Sequence, residues 1–134
     1  MFFPKSRKYK KARKLVSKGT ETKVIDLKFG FFGLKALGNG RVTSKHIETA
    51  RQAINRKIRP FGKMWVRMFA HNPITSIPLK VRMGKGKGNV SYWACSVKKG
   101  QILYEVSGVS EQKAFEALRA GGLKLPLKTK IVTY

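Results

Sequence analysis

The segment KVRMGKGKGNVSYW, residues 80–93, interleaves glycines with lysines and then turns into a β-branched and aromatic run. A nucleotide-binding glycine loop lies between a strand and a helix, so that the helix N-terminus holds the phosphates. Here Val90, Tyr92 and Trp93 make the following segment a strand. The glycines therefore fall at the tip of a long hairpin, and phosphate binding by a helix dipole is not expected. Gly84, Gly86 and Gly88 allow close backbone approach, while Arg82, Lys85 and Lys87 offer donors to phosphate. Such a tip suits a crevice in RNA; a simple flexible turn is the other reading.

The flanking segments extend the β-reading. KMWVRMFA (63–70) is strongly apolar around Arg67, and IPLKVR (77–82) alternates Ile77, Leu79 and Val81 with Pro78, Lys80 and Arg82. Pro78 cannot donate to a ladder, which makes this segment an edge strand or irregular. VSYWACSV (90–97) and QILYEVSG (101–108) read as strands joined in a hairpin by KKG, with Gly100 available for positive φ. TKVIDLKFG (22–30) alternates Ile25, Leu27 and Phe29 with Asp26 and Lys28, and LPLKTKIVTY (125–134) closes the chain as a last strand.

Two segments have helical signals. In TSKHIETARQAINRKIRP (43–60), Thr43 or Ser44 caps, Glu48 is early, and Ile47, Ala50, Ile54 and Ile58 form one face. Pro60 ends the helix near Arg59. Its other faces carry Arg51, Arg56, Lys57 and Arg59 with no acid after Glu48, unlike the mixed signs of an ordinary solvent face. SEQKAFEALRAGG (110–122) starts at Ser110, turns Ala114, Phe115 and Leu118 inward, and has Gly121 or Gly122 as C-cap.

Charge limits what such a chain does. Thirty Lys and Arg against six Asp and Glu give 134 residues a formal charge of +24, while 42% hydrophobic content still supports a core. A polyanion is the expected partner, nucleic acid first. Residues 1–20 hold eight Lys or Arg and no acid, and lack an apolar helical face. They read as an extended arm that orders on RNA, with Phe2, Phe3 and Tyr9 able to stack on bases. A solvated terminus and an organelle transit peptide are the alternatives. Residues 21–134 form the single domain.

Several classes drop out. Gly33 and Gly38 have P-loop spacing, but Asn39 and Gly40 stand where Lys and Ser or Thr are needed. Cys95 is alone, and His46 and His71 lack triad or zinc partners, so no catalytic residue, metal or cofactor is expected. No apolar run reaches the ~20 residues of a bilayer span. Residues 5–14 lack the apolar face of a membrane-surface helix.

The blocks FGLKALGNGRVTSKHIETARQAI, GKMWVRMF, PLKVRMGKGKGNVSYW and GQILYEVSGVSEQKAFEALRAGGLKLPLKT, in that order, resemble the bacterial-type large-subunit ribosomal protein L-sixteen family. FPKSRKYKK resembles the basic start of that family. The resemblance implies an α/β (α+β) fold, with a mixed, barrel-like sheet packed by two helices. It also implies a seat on large-subunit rRNA near the peptidyl transferase centre. The implied rRNA-binding residues are Lys5, Arg7, Lys8, Lys10, Lys11, Arg13 and Lys14 of the arm, with Arg51, Arg56 and Arg59 of the helix. The implied tRNA-proximal loop comprises Arg82, Met83, Gly84, Lys85, Gly86, Lys87 and Gly88. Its partners would be A-site tRNA, with P-site tRNA second, and neighbouring large-subunit proteins; no membrane and no second copy of the chain is expected.

AHNP (70–73) and His46 depart from the bacterial pattern, and the Phe- and Lys-rich wording suits an AT-rich organelle genome. A mitochondrial ribosome is the favoured setting, with plastid or bacterial cytoplasm as alternatives, and the arm is then expected to remain in the mature protein. The rival function is a general nucleic-acid architectural protein outside the ribosome.

Overall fold

The computed structural model describes residues 3–134; Phe2, one of the three stacking candidates, lies outside the described residues. Helix α1 (Ser44–Ile58) begins where local chemistry dictates. Thr43 accepts the His46 N–H at 3.2 Å, and the helix stops one residue short of Arg59, ahead of Pro60. Ile47, Ala50, Ile54 and Ile58 are buried as the periodicity requires. Helix α2 (Glu111–Gly122) buries Ala114, Ala117, Leu118 and Gly121.

Gly121 and Gly122 do not end α2, and Leu123 is the C-cap. A Cβ on Gly121 would lie 2.5 Å from Cγ1 of Ile54, so the glycine is where α2 approaches α1. Packing, not termination, uses it. Phe115, expected inward, is 37% exposed and meets the ring of Phe32 edge-on, with centroids 6.2 Å apart.

Among the described residues seven strands form two antiparallel sheets. One has the order β3 (Lys63–Val66), β6 (Ile102–Ser107), β1 (Phe32–Ala36), β7 (Thr129–Thr133); the other has β2 (Gly40–Thr43), β5 (Asn89–Val97), β4 (Asn72–Ser76). The class is α+β with two helices, as the resemblance implied, and the β-structure is two antiparallel sheets in place of one mixed sheet. The strands β5 and β6, expected as a hairpin around KKG, belong to different sheets. Gly100 does take positive φ, at 92°, but the turn it makes carries the chain from one sheet to the other.

Other strands lie elsewhere than expected. Residues 77–82 form no strand, and the partner of β5 is β4, which contains Pro73. β4 is an edge of its sheet, the position in which a residue without N–H is tolerated. β1 and β2 arise from the glycine-rich stretch that had no assigned element. The hairpin around the glycine–lysine tip is present, with residues 77–88 joining antiparallel β4 and β5.

Residues 22–30 also form no strand, despite their alternation. The cause lies in β6, all of whose residues from Ile102 to Val106 are buried. Tyr104 points to the helices and donates its hydroxyl to the Ile47 carbonyl at 2.9 Å. Burial, with a smaller effect from the Glu48 carboxylate, holds this phenol well above the usual tyrosine range, so it remains the donor. Glu105 points the opposite way and is 0% exposed. Its Oε2 accepts the backbone N–H groups of Lys28, Phe29 and Gly30 at 3.1, 2.6 and 2.9 Å, and Oε1 pairs with Arg67. These amides cannot also serve a ladder.

Glycines let this segment lie flat on the sheet. A Cβ on Gly30 would meet the Val106 carbonyl oxygen at 2.6 Å, and one on Gly33 would meet Cδ2 of Leu27 at 2.3 Å. Phe29 then covers the pair, 6.1 Å from the Trp65 ring and with the Arg67 guanidinium over its face at 5.2 Å. A carboxylate wholly out of water is tolerated only with such full compensation. Glu105→Ala is expected to lower stability by about 3–5 kcal/mol, because it strands Arg67 and three amides. Tyr104→Phe is expected to cost about 1 kcal/mol, and urea unfolding of the two variants measures the difference.

Candidate nucleic-acid interface

Three of the six acids pair with cations of the fold. Glu105 is buried, Glu48 binds Arg51 through both oxygens at 2.6 and 3.0 Å, and Glu116 lies 3.8 Å from Lys57. Arg51, Lys57 and Arg67 are the only Lys or Arg side chains in ion pairs among the described residues. The hydrogen bonds of Arg51 hold the Glu48 carboxyl below its usual range, and those of Glu48 raise the guanidinium in turn. The other cations have no opposing charge within 4 Å among the described residues.

Arm residues up to Ser17 run over the smaller sheet without regular structure of their own. Arg7 donates to the His71 carbonyl at 2.9 Å, and its guanidinium lies 5.7 Å from the Trp93 ring centre. Lys5, Arg7, Lys10 and Lys11 border a cavity of about 450 Å³ against Asn89 and Trp93. Arg41 of β2 donates to the Leu15 carbonyl at 3.0 Å, and Glu21 N–H donates to Lys99 at 2.8 Å. Lys8 sits over the Tyr9 ring at 5.5 Å, while Arg13 and Lys14 are exposed without a hydrogen-bond partner among the described residues.

Sequence reasoning treated the arm and the loop as separate sites, yet the structure brings them together. Lys11 Nζ donates to the Lys87 carbonyl at 2.7 Å, and Lys87 Nζ donates back to the Ala12 carbonyl. Lys87 is thus turned toward the arm. Arg82, Met83 and Lys85 remain exposed at the tip, with Met83 at 89%. Gly84 and Gly86 both take φ of 90° with nothing within 4 Å, so their backbone shape requires glycine and their surroundings do not. Gly88 differs, since a Cβ there would lie 2.1 Å from the Ser76 carbonyl oxygen at the base of the hairpin.

The helix cations divide. Arg51, Arg56 and Arg59 border one shallow cavity of about 330 Å³ with Gln52 and Asn55, whereas Lys57 turns toward α2. The pairing of Arg51 with Glu48, three positions before it, was overlooked in the sequence although the spacing favours it. Arg67 and Glu105 were also missed as partners. The available signal was one charge of each sign set among apolar residues, Arg67 in WVRMF and Glu105 in ILYEV.

The chemistry offered is that of a cationic surface with interspersed aromatics. Among the described residues no three His, Cys, Asp or Glu come together as a metal site. Burial pushes the Cys95 thiol above its ordinary range, despite a backbone hydrogen bond that lowers it. The family model described as Ribosomal protein L16p/L10e matches residues 4–132 of the chain.

Gly88→Ala is expected to cost about 1–3 kcal/mol, because backbone, not a flexible side chain, blocks the methyl group. Faster tryptic cleavage after Lys85, alongside unfolding curves, checks that the loop base opens. Unchanged cleavage would show that the hairpin absorbs the clash.

Proposed function

Since the chain belongs to the ribosomal protein L16p/L10e family and is a structural constituent of the large ribosomal subunit, we propose that it seats on large-subunit rRNA through its arm and the α1 arginines. The loop of residues 82–88 then faces A-site tRNA near the peptidyl transferase centre, with P-site tRNA a second neighbour. The chain supplies charge and shape, and the nearby reaction belongs to RNA. The observation carrying this reading is the segregation of charge: three ion pairs hold acids within the fold, while Lys5, Arg7, Lys8, Lys10, Lys11, Arg13 and Lys14 line one exposed arm. We read the ribosome as mitochondrial, on the AHNP and His46 departures and the Phe- and Lys-rich wording.

Filter binding tests the electrostatic seat. If about 6–10 phosphates are neutralised, affinity for large-subunit rRNA falls about a thousandfold or more between ~50 and ~200 mM salt. Equal affinity for duplex DNA would support the general architectural protein instead. Because Lys87 is held by the arm, Arg82→Ala with Lys85→Ala isolates the loop tip. That double variant is expected to cosediment normally with large subunits of mitochondrial ribosomes and to slow tRNA accommodation. Removal of residues 1–14 is expected to weaken cosedimentation first; the reverse pattern would make the tip the rRNA anchor.

A further inference from the structure

Strand β5 contains an irregularity beside the arm. Ile74 of β4 pairs with Tyr92, but the next residue, Thr75, pairs with Val90, so Ser91 is an extra residue in β5. A bulge of this kind breaks strict alternation and redirects side chains. Consecutive residues Ser91, Tyr92 and Trp93 all border the same cavity of about 460 Å³. The first turns of α1 supply its polar wall through Lys45, Glu48 and Gln52, and the arm supplies Phe3.

We propose that this cavity is a binding slot for one unstacked RNA base, resting on the rRNA-binding reading above but adding a site and a ligand to it. Tyr92 and Phe3 are 39% and 37% exposed, and Phe3 lies nearly parallel to Trp93, at 12°. Flat aromatic surface left open beside cations is what single-stranded RNA uses, since every base has a face to stack. The cavity of Lys5, Arg7, Lys10 and Lys11 also borders Trp93, so phosphates on either side of the inserted nucleotide meet the arm or Lys45.

The polar wall is compatible with that ligand. Both Glu48 oxygens accept from Arg51, and Oε1 also accepts from the Gln52 Nε2 at 3.0 Å. Its charge is thereby offset, and phosphate is not repelled. The same bond uses one of the two Gln52 amide hydrogens and fixes which way the amide faces, and the Gln52 carbonyl oxygen is free to accept from an amino or imino hydrogen on the base edge.

The test uses the full chain and two probes of equal charge, octariboadenylate and an abasic ribose-phosphate octamer, with large-subunit rRNA measured in parallel. The expected result is about tenfold tighter binding of the base-bearing probe. Tyr92→Ala should abolish that preference while leaving the salt slope and the abasic affinity unchanged. Trp93 packs against the core, so Gln52→Ala, on an exposed side chain, serves as the second variant and should reduce the preference without altering unfolding. Equal binding of the two probes by the native chain, or a preference that survives Tyr92→Ala, overturns the slot while leaving rRNA binding standing. Failure to bind rRNA or either probe overturns both readings.

Discussion

The buried carboxylate of Glu105 ties together three separate parts of this chain. It is out of water on a central strand, and its compensation comes from two places far apart in the chain: the Arg67 guanidinium and the amides of residues 28–30. Arg67 follows β3 at the sheet edge, while residues 28–30 lie just ahead of β1, with Phe31 between. One buried charge thus fixes where the N-terminal segment meets the fold. It also covers the sheet face opposite the helices. With Tyr104 tied to α1 on the other face, β6 becomes the layer through which both halves of the structure are held.

That arrangement gives the acids and bases different duties. With only six acids, a chain of +24 cannot neutralise itself, and three of them, Glu48, Glu105 and Glu116, are paired within the fold. Self-repulsion disfavours the compact state, and a polyanion relieves it. The exposed arm is shaped by hydrogen bonds from its side chains and from the body to backbone carbonyls, contacts that leave the net positive charge intact. Path and charge are therefore set independently.

What could be read from the sequence was whatever local chemistry decides. The limits of α1 follow from Thr43, the apolar stripe and Pro60, all within the helix or adjoining it. The hairpin around the glycines was legible because its turn and its β-rich strand are neighbours. The alternation at residues 22–30 misled because period two reports which side chains are covered, not where the amides bond, and these bond Glu105, some 75 positions away. Likewise KKG has turn chemistry, but which sheet receives the next strand is a tertiary matter. At the interface, the cations could be enumerated but not their directions: Arg51 and Lys57 face acids, and Lys87 faces the arm. The edge strand contains Pro73 and not Pro78, because its register with β5 is set by pairing across the sheet, which the local sequence does not carry.

The reciprocal bonds between residues 11–12 and Lys87 divide the glycine-rich loop into two parts with unequal freedom. Upstream of this clip, residues 79–86 are exposed and Gly84 and Gly86 have nothing within 4 Å of an added Cβ, so a change of length there alters reach with least effect on the clip. Downstream, only Gly88 separates the clip from β5, and there any change in length drags the arm along. The loop's reach is therefore set on its upstream side, and its attachment to the arm on its downstream side.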